Sequence, residues 1–310
     1  MQREFDLLAV GRPSVDVIFS GLSEWPQLGL DVDAAGLATC AGTSFNTPAA
    51  AHRLGLRVGY VALVGNDSWS QIVLREFETE GLPTEFLRIV DRPLPFVSVA
   101  LNRDHDRGFV TFYEPAPDDD SELAERARDV LSRVPARHFH TYAGEEPTEL
   151  VELARARGMT VSLDSWGGPF WEHPAAVGDV VSGGDILFAN EAEALAMTGE
   201  HDLRSAMRLL AELCGCVVVK RGNRGAIAMM GDEFEDVPPE PTTVLDATGA
   251  GDCFNAGFLY GWLAGKSLRE SLVLANICGA RAVQAFGGYR GCPNGDELRS
   301  FAVTRGISLE

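Results

Sequence analysis

Apolar positions along the chain come in two rhythms. Phe5–Val10 (FDLLAV, closed by Gly11) and Val58–Val64 (closed by Gly65) are short, unbroken apolar runs. Runs of that length suit strands buried on both faces of a parallel sheet. Between them the turn Ala41–Asn46 (AGTSFN) leads into a helix-like stretch, Pro48–Leu54, that stops at Gly55. The second half repeats the order. Arg137–Tyr142 and Thr160–Leu163 read as strands around a helix in Thr148–Arg157, Asp185–Phe188 leads to Asn190–Thr198, and Cys216–Lys220 to a turn at Gly222–Gly225. Strand, turn and helix in repeating order predict an α/β protein, a mostly parallel central sheet covered on both faces in three α/β/α layers.

One region breaks the rhythm. Pro95–Leu101 alternates polar and apolar positions, the charged turn Arg103–Gly108 (RDHDRG) follows, and Phe109–Tyr113 is again strand-like. Such a pattern predicts an antiparallel hairpin. With residues 15–40 it forms a small sheet projecting from the main body, a lid built from about 15–40 and 93–113. A lid that covers a site excludes water from it.

Val244–Gly261 (VLDATGAGDCFNAGFLYG) combines all three kinds of signal. Val244 and Leu245 read as the end of a strand, Gly249, Ala250 and Gly251 as a small-residue turn, and Phe254, Phe258 and Trp262 follow helical spacing. A helix start with little side-chain bulk offers unpaired N–H donors to an anion. Asp252 stands in that turn. Locally two readings remain: an acid that favours the helix start by about 0.3–1 kcal/mol, or a general base for a hydroxyl attacking a phosphoryl group.

Composition narrows the field. A chain of 310 residues buries roughly three quarters of its unfolded surface. That length accommodates two units or one large α/β domain with an insertion. No apolar run approaches the ~20 residues of a membrane span and Met1–Asp6 lacks a signal-like segment, so the expectation is a cytoplasmic protein with no membrane partner. Net charge is −19, and Lys220 and Lys266 are the only lysines. Nothing resembles a basic stripe, which argues against nucleic acid. The six cysteines show no zinc-like pairing and are expected to be reduced.

DATGAGD at Asp246–Asp252, with Phe254, Ala256 and Gly257, resembles the C-terminal signature of the ribokinase-like (PfkB) carbohydrate kinase family, and the likeness runs through the whole chain. It implies one ribokinase-like domain, 1–310, carrying the lid. By this resemblance Asp252 is the catalytic base and Gly249, Ala250 and Gly251 form the anion hole. Asp16, Gly42, Asn46 and Glu145 are the substrate contacts it implies, although Ala41 stands where the family usually has its first glycine. Gly65-Asn66-Asp67 resembles a Gly-Asp-Asp element, with Ser70 replacing a common glycine. Asn190 and Glu193 match the family's Asn-x-x-Glu motif, which organises Mg²⁺ through water. Lys220, Gly222 and Gly225 match the nucleotide-facing turn, and Asn276 with Gly279 the adenine-pocket helix. Asp246 and Thr248, with carbonyls of Ala282, Ala285 and Gly287, stand where the family often holds a monovalent cation such as K⁺. ATP and Mg²⁺ are therefore the implied cofactors, and a homodimer through the lid is implied by kinship.

The rivals lack their marks. GxGxxG fails because Phe254 takes its last position, no GxxxxGK(S/T) exists, and HRD and DFG are absent. For the acceptor, Asp164-Ser165-Trp166-Gly167-Gly168-Pro169 lies where relatives acting on sugar acids carry an Asp-x-Asn-x-Arg element. Without that Arg, the expectation is a small neutral sugar, ribose- or fructose-like. Trp166, Phe170 and Trp171 pack in the core or stack on a sugar or base. The alternative is a nucleoside kinase, with Phe45, Phe112 or Tyr113 sandwiching the base, and beyond it a non-catalytic relative that binds ligand.

Overall fold

The structure, a computed structural model, describes residues 5–103, 106–114, 117–143, 148–165 and 177–309. Its main sheet has nine strands. Parallel strands β1 (Phe5–Val10), β4 (Val58–Val64), β5 (Leu87–Ile89), β8 (Ala136–Tyr142), β9 (Thr160–Asp164), β10 (Ile186–Asn190) and β11 (Cys216–Lys220) are joined at one edge by antiparallel β12 (Ala226–Met230) and β13 (Glu233–Val237). The order is β13-β12-β11-β10-β9-β8-β1-β4-β5. Among the described residues the helices are α1 (Asn46–Arg53), α2 (Ser68–Glu80), α3 (Pro117–Arg133), α4 (Thr148–Ala156), α5 (Val177–Val181), α6 (Glu191–Thr198), α7 (Leu203–Leu213), α8 (Ala250–Leu263), α9 (Leu268–Ala282) and α10 (Gly295–Thr304).

Side chains of a strand alternate between faces, and here the alternation divides the core in two. Leu7, Ala9, Tyr60, Phe188 and Val218 pack under α1, α2, α8, α9 and α10. Leu8, Val10, Leu63, Leu187 and Val217 pack under α3, α4, α6 and α7. Both faces being covered, β1, β4, β10 and β11 carry almost no polar residue until their ends, which is why unbroken apolar runs announced them, whereas β8 and β9 bury His138, His140, Thr141 and Ser162.

A second sheet stands apart, ordered β3-β2-β6-β7 from β2 (Pro13–Leu22), β3 (Ala34–Thr43), β6 (Phe96–Arg103) and β7 (Asp106–Tyr113). The hairpin of β6 and β7 is antiparallel as the alternation predicts, whereas β2 pairs with β6 in parallel. The sheet begins at Pro13 and runs to Thr43, wider than the span 15–40. Only a small apolar cluster, Ile18, Cys40 and Ala100, holds it internally.

One expected strand is absent. Val244 and Leu245 lie in a loop, each about half exposed, and the backbone N–H groups of Leu245 and Asp246 donate to the Val283 carbonyl at the end of α9. No neighbouring strand pairs with them, so apolar side chains alone did not make a strand. All six cysteines are free and buried.

Candidate active site

Tyr142, Asp164, Asn190 and Lys220 end four adjacent parallel strands, at the edge where open α/β sheets bind ligands. Above them α8 begins. Gly249 precedes it at φ +68°, a conformation that disfavours a side chain, and a Cβ there would lie 2.7 Å from the Gly288 backbone. No side chain caps this helix, so the N–H groups of its first turn and the positive dipole end face outward for an anion.

Asp252 stands in that first turn. Its carboxylate accepts from Asn46 Nδ2 at 3.0 Å, Thr47 Oγ1 at 3.2 Å and the Tyr142 hydroxyl at 3.5 Å. Burial, and then the neighbouring Asp164, push its pKa up to about 7, against the lowering effects of Lys220, Asn46 and Thr47. Asn46 is buried and its Oδ1 has no partner. Thr47 and Tyr142 are contacts that sequence reasoning missed; Thr47 adjoins Asn46, the one signal that pointed to it.

A cavity of about 280 Å³ opens on the Asp252 side, walled by Thr43, Phe109, Tyr142, Asp164, Ser165 and the 247–252 turn. Thr43 holds φ +50°, the one described residue other than glycine with positive φ. Its hydroxyl meets Ser14 Oγ at 2.7 Å, and Ser14 donates to Asp16 Oδ1 at 3.1 Å, which connects Asp16 to this wall. Burial raises the Asp16 pKa to about 6. Gly42 is required here, since a Cβ would lie 2.2 Å from the Asp16 carboxylate. Phe45 corrects the expectation of a base-stacking aromatic: it is fully buried among Tyr60, Phe77 and Tyr289, because it starts a core helix rather than the small sheet. Phe112 and Tyr113 are exposed, and Phe109 is the aromatic of the small sheet that reaches the cavity, which Tyr142 also lines. Glu145, Trp166, Phe170 and Trp171 lie outside the described residues.

A larger cavity, about 590 Å³, opens on the other side of the turn and includes Asn190, Glu193, Lys220, Gly222, Gly225 and Asn276 in its wall. Asn190 and Glu193 form a capping box at the start of α6, with Glu193 N donating to Asn190 Oδ1 and Asn190 N to Glu193 Oε2. Ser165 also donates to Glu193 Oε2, at 2.6 Å. Burial raises the Glu193 pKa, opposed by those hydrogen bonds. Asn276 Nδ2 donates to the Pro238 carbonyl at 2.9 Å and so fixes the loop at the cavity's rim. Gly225 needs to be glycine: φ is +79°, and a Cβ would lie 2.1 Å from the Val237 carbonyl oxygen. Lys220 departs from the nucleotide-turn expectation in one respect. Its side chain turns inward to Asp164, which the sequence placed only in the acceptor-side segment, and to Asn255, which it did not single out.

Asp246 and Thr248 lie close together, Thr248 N and Oγ1 both donating to Asp246 Oδ1, and Gly287 N donates to Oδ2 at 3.3 Å. The Ala282 carbonyl accepts from Ala285 N at 3.3 Å and lies 2.5 Å from where a Gly291 Cβ would be. Asp67 and Ser70 form a cap: Asp67 accepts from Trp69 N, Ser70 N, Ser70 Oγ and Leu94 N, and Ser70 Oγ accepts from Gly65 N, while Asn66 Nδ2 donates to Asp91.

Comparison with known proteins decides what this arrangement belongs to. The family model described as pfkB family carbohydrate kinase matches residues 35–294. The chain belongs to the pfkB carbohydrate kinase family. It is 28% identical to the fructoselysine 6-kinase of Escherichia coli over 286 residues, covering 91% of this chain and 99% of that one. It is 26% identical to a nucleoside kinase of Methanothermobacter thermautotrophicus over 309 residues, 99% of this chain and 98% of the other. Among solved structures, the ribokinase of Arabidopsis thaliana complexed with ribose and ATP superposes with a TM-score of 0.76 at 23% identity, covering 96% of this chain and 98% of that one. Like these pfkB proteins, the chain has a three-layer α/β/α body and a smaller sheet. Its family activity is ATP-dependent phosphorylation of a sugar or nucleoside. No helix among the described residues is long and apolar enough to cross a membrane.

Proposed function

We propose that this pfkB protein transfers the γ-phosphoryl group of ATP to a hydroxyl of a small neutral sugar, ribose- or fructose-like. One observation carries the reading: the two cavities meet at a common wall of Ser165, Ala247 and Gly251, with Asp252 on the smaller side. A donor in the larger cavity and an acceptor in the smaller would thus face each other across the Gly249–Gly251 turn.

The residues fit the nucleotide. The larger cavity has the volume of a nucleotide site, its glycines allow close backbone approach, and its inner end is an uncapped helix start. Mg²⁺ would be held by the phosphates and, through water, Glu193; among the described residues no cluster of acids, His or Cys makes a metal site alone. When bound, MgATP supplies the electrophilic phosphoryl group. Asp252 accepts the proton of the attacking hydroxyl, and Asn46 and Thr47 orient its carboxylate. The N–H groups of Gly251 and its neighbours face the charge that develops on the transferred group. Asp246 and Thr248 are the side chains through which K⁺ would act, read out as turnover in K⁺ against Na⁺.

A neutral acceptor suits a cavity whose described wall carries Asp164 and Asp252 and no arginine. Phe109 in that wall favours a second reading, a nucleoside stacked on its ring. ADP release should be measured over D-ribose, D-fructose, fructoselysine, a 2-keto-3-deoxy sugar acid, adenosine and cytidine. Neutral sugars are expected to turn over fastest. Turnover confined to nucleosides would establish the second reading, and ATP binding without turnover on any acceptor would leave a ligand-binding relative.

A further inference from the structure

The turn that carries Asp252 rests on a largely buried cation. Lys220 Nζ donates to Asp164 Oδ1 at 3.0 Å and to Asn255 Oδ1 at 3.3 Å. Asn255 Nδ2 donates to the other Asp164 oxygen at 2.7 Å. These bonds close a three-membered ring. Asp164 ends β9, Lys220 ends β11, and Asn255 lies on α8 one turn beyond Asp252, so the ring ties the helix start to two strand ends. Asp164 and Asn255 are buried, and a Cβ on Gly251 would lie 3.3 Å from the ammonium. The positive charge therefore sits directly beneath the turn.

The charges around it are unbalanced without Lys220. Its ammonium faces three carboxylates, Asp164, Glu193 and Asp252. Burial works against its charge, but Asp164 and Glu193 outweigh that and hold its pKa above the usual lysine value. Asp252 in turn faces Asp164 from β9, Lys220 from β11, the Tyr142 hydroxyl from β8, the neutral Asn46 and Thr47 from α1, and the buried Cys253 thiol beside it. His140, which feels both Asp164 and Lys220, adds no positive charge at neutral pH, because burial lowers its pKa to about 4. Two neighbouring carboxylates, Asp164 buried and Asp252 partly so, disfavour each other's ionisation when no cation lies beside them. The residue type is informative too. Apart from Lys266, every other side chain carrying a positive charge at neutral pH is an arginine, whereas the group beneath this glycine turn is a compact ammonium rather than a planar guanidinium.

We propose that Lys220 is a positioning residue for the phosphoryl transfer: clamped by Asp164 and Asn255, its ammonium offsets Asp164 so that Asp252 stands as a carboxylate behind the anion-binding turn. The proposal rests on the reading of Asp252 as the base. Its test reads the carboxylate directly, without acceptor or nucleotide. In protein labelled with ¹³C at aspartate carboxyls, the resonance lost in Asp252→Asn identifies Asp252, and its titration is followed by NMR. Lys220→Met is expected to move the Asp252 midpoint to a proton concentration about tenfold lower or more. Lys220→Gln, which keeps a donor to Asp164 but not the charge, should do the same and covers the case in which Lys220→Met fails to fold. Removing both charges in Asp164→Asn/Lys220→Met should return the midpoint to near that of the unaltered protein. A merely structural role gives the opposite sign, because loosened packing hydrates Asp252 and stabilises its charged form. A midpoint that falls or stays in place in the Lys220 variants overturns the proposal. Full turnover by Asp252→Asn would instead remove the base reading, a separate measurement that leaves the titration to be judged by itself.

Discussion

Asp252, the proposed base, opposes the stability of its own fold. Unfolded, its carboxyl ionises near the ordinary value of 3.8; folded, burial carries it to about 7. Between those values the folded chain holds a proton that the unfolded chain has released, so stability falls as pH rises through this window. Asp252→Asn removes the penalty. Its melting temperature should exceed that of the unaltered protein at pH 8, and the gap should close toward pH 4. Activity should move the other way. Turnover of the unaltered protein is expected to drop as pH falls below about 7, where the base becomes protonated. In Asp252→Asn it should be lower by ~10²–10⁴ at pH 8, with ATP affinity by calorimetry nearly unchanged. Asp16 tests the acceptor side of the same reading. Asp16→Ala is expected to raise the acceptor KM much more than the ATP KM, and equal rises would give it a folding role instead.

At the scale of elements, the start of α8 depends on a backbone shape rather than on a cap. Gly249 and Gly265 bracket this helix at nearly equal φ, +68° and +69°. They differ in their surroundings, for a Cβ on Gly265 would meet nothing within 4 Å and one on Gly249 would strike the Gly288 backbone. Gly265→Ala therefore isolates the conformational cost, of about 1 kcal/mol. Gly249→Ala adds the clash and should cost about 1–3 kcal/mol in urea unfolding. Its turnover should fall further than that loss explains, since the N–H groups of the turn would no longer point at one place. Equal effects of the two substitutions on turnover would mean that the turn does not bind the reacting group.

Across the whole molecule, a buried acid connects the two sheets' surroundings. Glu76 on α2 accepts hydrogen bonds from the Tyr289 hydroxyl and from Arg290, and Arg290 Nη2 also donates to the Thr39 carbonyl on β3 at 3.1 Å. Tyr289 belongs to the fully buried aromatic group with Phe45, Tyr60 and Phe77, and beside it Gly288 leaves no room for a Cβ on Gly249 or, because of Asn46, on itself. The small sheet is thereby anchored to the segment that packs against the Gly249 turn. Arg290→Ala leaves Glu76 buried with one charged partner fewer and should destabilise the protein by about 1–3 kcal/mol. If the anchor also sets the small sheet over the acceptor cavity, the same variant will raise the acceptor KM while ATP affinity holds.

Much of this protein is legible in local order. Unbroken apolar runs ending in glycine mark strands buried on both faces, alternation marks the small sheet, and side-chain-poor residues before an apolar helix mark the uncapped start of α8. Each depends on forces acting within a few residues, which the chain carries wherever it folds. Val244 and Leu245 show the limit, because a strand exists only if a neighbour pairs with it, and here none does. Phe45 shows it again: its aromatic character is local, but its place in the core is set by Tyr60, Phe77 and Tyr289 from distant parts of the chain. The partners of Asp252 lie 206, 205 and 110 positions away. Sequence pattern left two readings of the acid open, and the family resemblance chose between them. The depth of its burial, the carboxylate beside it and the ammonium that balances the pair follow from long-range packing, and only the tertiary structure brings them together.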